Sequence, residues 1–243
     1  DITVKELEDN YDAIVLACGS KKPRDLSIKG REAKGVYFAM DFLTQQNRKN
    51  NNIPLYDKEI ITTGKDVLVI GGGDTGADCV GTSLRQGAKS VTQVEILDKP
   101  SENRVNTNPW PQYPLILKTS TSHKEANYKY GNDPREWNVT TKEFIKDEND
   151  NLTGVKIAKV ESYKDGNGKI NFREIEGTEE IIKADLVFLS IGFLHPYHEG
   201  LLNDSEVKLD GMGNVDASMI DYKTNKEKYF AAGDVRRGQS LVF

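Results

Sequence analysis

With two cysteines and three histidines among 243 residues, the sequence has little material for metal or thiol chemistry. Cys18 falls in an apolar strand pattern and Cys79 in a helical one, so both are expected as buried free thiols rather than a disulfide or a ligand pair. That usage favours a reducing cytoplasm and excludes a cysteine-ligated iron–sulfur cluster within this chain. His123 lies in a polar stretch, and His195 and His198 flank Pro196-Tyr197, where the proline breaks any helical metal face, so no metal site is assigned. Positive charge is not in excess either. The formal net charge is -5 and the pI near 5.4, which argues against a nucleic-acid partner. Apolar runs such as Leu186 to Ile191 fall far short of the ~20 residues a membrane span needs, and no signal-peptide pattern occurs. Solenoid repeats and low-complexity tracts are absent too.

What the sequence does have is a glycine turn in a telling place. Val67-Leu68-Val69-Ile70 reads as a short buried strand and runs into Gly71-Gly72-Gly73-Asp74-Thr75-Gly76, after which Thr75 to Arg85 carries helical periodicity up to Gly87. Gly71, Gly73 and Gly76 complete G-x-G-x-x-G in its strand–turn–helix context. The first glycine permits the tight turn, the second lets backbone approach a pyrophosphate, and the third lets helix and strand pack closely. Free N–H groups at the helix start would face the diphosphate. The same kind of turn also serves methyltransferases, FAD domains and plain bends, so the motif alone leaves those open.

Around it the pattern is α/β. Ala13 to Gly19, Ala184 to Gly192 and Tyr229 to Asp234 read as strands closed by glycine, the first of them buried on both faces, and Val91 to Leu97 as the strand after the glycine-motif helix. Phe38 to Gln46 predicts a helix with Phe38, Phe42 and Leu43 on one face, then an exposed loop from Gln45 to Asn52, with a linker near residues 30–60. Residues 98–136 are too long for an ordinary connection and suggest a functional loop or an ordered excursion. Gly154 to Glu161 and Lys169 to Ile175 form a hairpin about Asp165-Gly166-Asn167-Gly168.

Taken in order, the strand ending Ala17-Cys18-Gly19, the central glycine motif and the late Ala232-Gly233-Asp234 followed by Arg236-Arg237-Gly238-Gln239 resemble flavoproteins in which an NAD(P)H domain is inserted into a FAD domain. Gly72 to Thr82, Gln93-Val94-Glu95-Ile96-Leu97 and Asn108-Pro109-Trp110-Pro111-Gln112-Tyr113-Pro114 are similar to the glutamate synthase small-subunit family, from about Tyr11 onward. The resemblance implies an oxidoreductase that passes a hydride from NADPH (NADP, or NAD, as cofactor) to FAD. Electrons would then move through iron–sulfur clusters to a large subunit that makes glutamate from glutamine and 2-oxoglutarate. It further implies cofactor-binding positions at Gly71, Gly72, Gly73, Asp74, Thr75 and Gly76 for the nicotinamide nucleotide. For the flavin it implies Gly192, Gly233, Asp234 near the ribityl phosphate, and Gln239, Ser240 and Leu241 near the isoalloxazine.

The cofactor carries the redox step, so no catalytic side chain is nominated. The family's iron–sulfur domain and first FAD fingerprint are not in this sequence, which starts at Asp1 and stops at an apolar run, Ser240 to Phe243. It therefore reads as an excised piece, expected to be colourless, free of FAD and inactive by itself. The dihydropyrimidine dehydrogenase type shares fold and cofactors, and Asn108 to Pro111 argues against it. A non-catalytic nucleotide-binding module is disfavoured by the flavin half-sites.

Several residues carry two readings. Asp234 is either a turn aspartate or a flavin contact, and Lys21-Lys22-Pro23-Arg24 either a solvated turn or a phosphate site, the turn being preferred. Trp110 and Trp137 either stack on a nucleotide or pack the long loop. Arg104 suits a ribose 2′-phosphate, whereas Glu95 and Asp98 lie where NAD enzymes place their ribose-binding carboxylate. Arg104 is favoured, on the expectation that Glu95 points away from the strand's end. The expected fold is α/β: a Rossmann-like parallel-sheet NAD(P)-binding domain at 35–190 with an added β-hairpin, flanked by partial FAD-binding segments at 1–34 and 191–243.

Overall fold

The structure, a computed structural model, describes residues 2–55 and 58–239; Ser240 and Leu241 lie outside the described residues. In chain order its elements are α1 (Val4–Asn10), β1 (Ile14–Leu16), β2 (Val36–Phe38), α2 (Ala39–Asn50), β3 (Asp66–Ile70), α3 (Asp74–Arg85), β4 (Ser90–Val94), α4 (Thr121–Tyr130) and β5 (Arg135–Glu136). There follow β6 (Val139–Lys146), β7 (Leu152–Lys164), β8 (Ile170–Glu174), β9 (Glu180–Lys183), β10 (Leu186–Leu189), α5 (Leu201–Asp204), β11 (Tyr229–Ala231) and α6 (Asp234–Arg237). The chain folds as two units, a larger one of Asp25–Ile191 and a smaller one that joins Asp1–Arg24 to Gly192–Phe243.

The larger unit holds a parallel five-stranded sheet in the order β2-β10-β3-β4-β5. Alternation along β3 explains its layers. Val67 and Val69 face a cluster with Phe42 of α2, Cys79 and Val80 of α3 and Ala126 of α4, while Leu68 and Ile70 face Phe144, Leu152, Val155 and Ile157 of the antiparallel strands. Both faces are thus dry, which is why β3 and β10 read as unbroken apolar runs. The antiparallel layer is built on β7, flanked by β6 on one edge and by β8 and β9 on the other.

Two expectations for this unit need correction. Residues 25–34 belong to it, because Lys29 bridges Glu143 and Lys34 bridges Asn151, and the division between the units falls at Arg24/Asp25 rather than at 34/35. Gly30 fixes this contact: at φ +80 it lies where any Cβ would overlap the Phe144 carbonyl. Gln45 to Asn50 is helix rather than loop, and Gln45 is buried with both ends of its amide bonded to Ile60, donating to the carbonyl at 2.9 Å and accepting from the N–H at 2.7 Å. The 98–136 excursion carries α4, capped by Ser120, and β5, in keeping with an ordered excursion, one of the two expectations.

In the smaller unit β1 and β11 form a parallel pair over a cluster of Ile14, Leu16, Leu202, Val215, Tyr229, Ala231 and Val235. Only one face of β1 is covered. Val15 is 64% exposed and Cys18 is exposed as well, correcting the both-faces reading and the buried thiol, whereas Cys79 is buried as expected. Among the described residues no helix is long and apolar enough to cross a membrane.

Phe42 is fully buried and stacks on Phe188 of β10 with ring centroids 4.2 Å apart, tying α2 to the sheet. Phe42→Ala should therefore destabilise the larger unit by about 3–5 kcal/mol, read from the midpoint of urea unfolding. A shift under about 1 kcal/mol would mean that the helix layer repacks around the loss.

Candidate nucleotide-binding turn

The parallel sheet reverses its strand order beside β3, with β4 on one side and β10 on the other, and the crevice at such a reversal is where open α/β sheets bind ligands. The glycine motif leaves β3 at this point, and its glycines are glycine for different reasons. Gly71 adopts φ +117 against the Ser190 carbonyl, where a Cβ would overlap backbone. At Gly76 a Cβ would overlap the Gly71 carbonyl and the Gln93 amide, so the first turn of α3 lies against the end of β3 only because this position has no side chain. Gly73 differs from both. It has ordinary extended geometry, φ -79 and ψ -177, and a Cβ there would meet nothing within 4 Å.

Gly73 is also the N-cap of α3 and offers no side-chain acceptor to the helix. The first N–H groups of a helix have no intrahelical partner, and here they open from an exposed turn, Gly72 to Asp74, with Thr75 half-buried. The turn can accept an anion on its backbone donors, with the α3 dipole in support.

The peptide joining Gly71 to Gly72 is held at both ends. Its carbonyl accepts from Gln93 Nε2 at 2.7 Å, and its N–H donates to Glu95 Oε2, while Glu95 Oε1 takes the Leu97 N–H at 3.1 Å. Glu95 therefore does not point away from the strand's end: β4 stops at Val94, and the carboxylate turns back onto the glycine turn. Asp98 is committed elsewhere. It accepts from Asn138 and from Ser162 of β7, and these hydrogen bonds hold its carboxyl below the usual carboxylate range. Arg104 is exposed and its guanidinium donates to the Asn108 carbonyl at 3.2 Å, within the loop. Lys99 and Arg135 each lie over the Trp137 ring, 5.1 Å from its centroid, whereas Trp110 is 81% exposed.

Buried Gln93 and His123 and half-buried Ser120 form a line behind the turn that the sequence pattern does not single out. His123 is on α4, not in a loop; its Nε2 faces Gln93 Oε1 at 2.8 Å and its Nδ1 accepts from the Ser120 N–H at 3.3 Å. The Ser120 hydroxyl in turn accepts from the His123 N–H, closing a capping box. Ser-x-x-His opening a helix that ends at Gly131 was the available signal.

In the smaller unit, Gly192 (φ +87) lies against the Gln239 amide, whose oxygen accepts the Phe193 N–H at 2.9 Å. Gly233 (φ +73) precedes α6, which starts at Asp234, and a Cβ on Gly233 would meet nothing within 4 Å. Among the described residues no group of three or more His, Cys, Asp or Glu side chains is placed to hold a metal ion.

Similarity to known proteins agrees with this geometry. The family model described as pyridine nucleotide-disulphide oxidoreductase matches residues 1–108 and 135–242. The chain belongs to that family. It is 44% identical over its whole length to glutamate synthase [NADH] of Schizosaccharomyces pombe, of which it covers 12%. To the glutamate synthase [NADPH] small chain of Bacillus subtilis it is also 44% identical, covering 49%. The chain thus spans about half the length, or less, of these curated relatives. In fold it is similar to Mycobacterium tuberculosis FprA in complex with NADPH, with TM-score 0.63, 16% identity, and coverage of 99% of this chain and 62% of that one. It is also similar to Lactococcus lactis thioredoxin reductase, with TM-score 0.55, 18% identity, and coverage of 94% and 59%.

Burial, reinforced by Arg135 and opposed by Asp133, pulls the His123 imidazole down to about 4. Between its ordinary value near 6.5 and that lower one, the unfolded chain takes up a proton that the folded chain refuses, so folding stability falls as pH drops through this window. Urea unfolding between pH 7 and pH 4 should show that decline and a flatter one in His123→Gln. Equal slopes would assign the acid sensitivity to other groups.

Proposed function

We propose that the chain is the nicotinamide-nucleotide-binding part, with portions of the flavin-binding part, of a glutamate synthase small-subunit-type oxidoreductase. The observation that carries the reading is Gly73: neither its backbone geometry nor its neighbours require glycine, and the space a side chain would fill faces the open N-terminus of α3. The 44% identity to glutamate synthase proteins supports the choice of reaction. The similar FprA structure is a complex with NADPH, and both NADH and NADPH appear in the names of the glutamate synthase relatives.

When bound, the nicotinamide supplies a hydride and FAD accepts it, leaving NAD(P)+ and reduced flavin. The chain's own share is positioning. Backbone donors from Gly73 to Thr75 take the pyrophosphate, Gly71 and Gly76 hold α3 close enough for them to converge, and Asp74 opens the helix. Gly192, Gly233, Asp234 and Gln239 hold the flavin side in the smaller unit. The partner is a large subunit that forms glutamate from glutamine and 2-oxoglutarate, and the compartment is the cytoplasm.

Two groups stand for the nucleotide's adenosine ribose. Glu95, already bonded to the turn through Gly72, keeps lone pairs for a free 2′-hydroxyl and repels a 2′-phosphate, while Arg104 attracts one. Glu95→Gln keeps an acceptor for Gly72 but loses the charge, and should raise the NADPH-to-NADH affinity ratio about tenfold. Arg104→Ala should lower that ratio by a similar factor. Titration calorimetry with both nucleotides reads the two ratios; if neither moves, the ribose lies elsewhere.

Gly73→Val tests the site itself. Valine fits the extended backbone and empty surroundings of the position, so the melting temperature should hold while binding of either nucleotide drops by more than about 2 kcal/mol, the loss of several charge-assisted hydrogen bonds. Undiminished binding would place the nucleotide outside this turn.

A further inference from the structure

Two glycines flank the Gly71–Gly72 peptide, so no side chain resists its rotation, and its orientation must be imposed from outside. Gln93 and Glu95, two positions apart at the end of β4, impose it, and the Ser190 hydroxyl donates to the same carbonyl at 3.3 Å. Gln93 presents a donor to the carbonyl and Glu95 an acceptor to the N–H. Were the peptide to flip, an N–H would face the Gln93 N–H and a carbonyl oxygen would face the Glu95 carboxylate, two repulsive contacts in place of two hydrogen bonds.

This clamp works only while Gln93 keeps its amide in one orientation, and an amide is free to turn over unless its neighbour distinguishes O from N. The neighbour is His123. Its Nδ1 accepts from the Ser120 N–H at 3.3 Å and from the Ser120 hydroxyl at 3.1 Å, so in the neutral ring the proton sits on Nε2 and is donated to Gln93 Oε1. The contact between them is buried: His123 is 4% exposed and Gln93 1%. Arg135 steadies the far end of the line, donating to the Lys118 carbonyl at 2.8 Å and to Thr119 Oγ1 at 3.1 Å, immediately before the Ser120 cap, and pairing with Asp133 at 2.8 Å.

We propose that His123 is a positioning residue for dinucleotide binding: through Gln93 it fixes the polarity of the Gly71–Gly72 peptide, and with it the path of the turn that presents the Gly73 to Thr75 N–H groups to the pyrophosphate. The helix α4 within the 98–136 excursion thereby acts on the nucleotide site from behind, without touching the ligand. The proposal rests on the reading of the glycine turn as the nucleotide site, and it assigns a function to a buried histidine and a buried glutamine that the hydride-transfer reaction does not use.

The test pairs nucleotide affinity with a direct reading of the peptide, in the full chain. In the parent the Gly72 amide, bonded to Glu95, should exchange slowly with solvent when followed by NMR. In His123→Leu, which keeps the volume and loses the donor, it should exchange at least about tenfold faster, with NADH and NADPH affinities both falling about tenfold and their ratio unchanged. His123→Gln restores an N–H donor and should bind within about threefold of the parent. Gln93→Glu, nearly isosteric but opposite in polarity at the carbonyl, should weaken binding more than Gln93→Met does, an order that packing alone would reverse. Should His123→Leu melt at a lower temperature yet keep both the Gly72 protection and the affinities, His123 only supports the fold and the proposal fails. It fails equally if Gly73→Val abolishes binding while Gln93→Glu and His123→Leu bind as the parent does. If Gly72 protection is lost but neither these variants nor Gly73→Val alters binding, it is the location of the nucleotide site that is overturned.

Discussion

The close approach of α3 to the end of β3 is the constraint on which the rest of the larger unit depends. At Gly76 helix backbone rests on the Gly71 carbonyl, with the Gln93 amide in the same space, so helix, turn and neighbouring strand meet where one extra carbon would not fit. That contact aims the α3 dipole at the crevice beside β3, fixes the direction in which the turn leaves the sheet, and puts β4 within reach of the turn's backbone. The dry core on both faces of the sheet supplies the rigidity. Val67 and Val69 are locked to the helices and Leu68 and Ile70 to the antiparallel layer, so β3 cannot tilt to relieve the crowding at its tip.

How much of this was legible in the sequence follows from the range of the interactions. The glycine turn, the buried strands and the Asp165 to Gly168 hairpin are local patterns with strict backbone requirements, and their residue types announce them. β6 escaped because a register shift between Thr141 and Glu143 breaks its alternation, and the second half of α2 escaped because a buried glutamine looks like a loop residue until Ile60 satisfies its amide. The unit boundary at Arg24 could not be read locally, since what carries residues 25–34 into the larger unit is bridging to strands more than a hundred positions away.

The site divides along the same line. Gly71 and Gly76 are visible because the turn and the close helix need their absent side chains, and Gly73 because its motif spacing is that of a pyrophosphate turn. Glu95 was visible in kind but not in direction: β4 ends one residue before it, so the strand's alternation no longer dictates where the carboxylate goes. His123 looked like one more polar residue of a long loop. Only the fold shows that Ser120 caps a helix there and that this helix buries the ring against Gln93.

Glu95 then carries two loads at once. One carboxylate oxygen holds the Gly72 N–H and the other the Leu97 N–H, so on the proposed reading the group that would discriminate between nucleotides is also a strut of the turn that would receive their pyrophosphate. Nucleotide choice and pyrophosphate geometry are for this reason not independent variables here. An apolar residue at this position would remove the repulsion toward a 2′-phosphate, but it would also free one end of a peptide whose two glycines offer no resistance to turning. Gln93, backed by His123, and the Ser190 hydroxyl would then hold it at its carbonyl end alone. Changing selectivity while keeping affinity therefore requires a residue at 95 that still accepts a hydrogen bond, a constraint that comes from the backbone of the turn and not from the ligand.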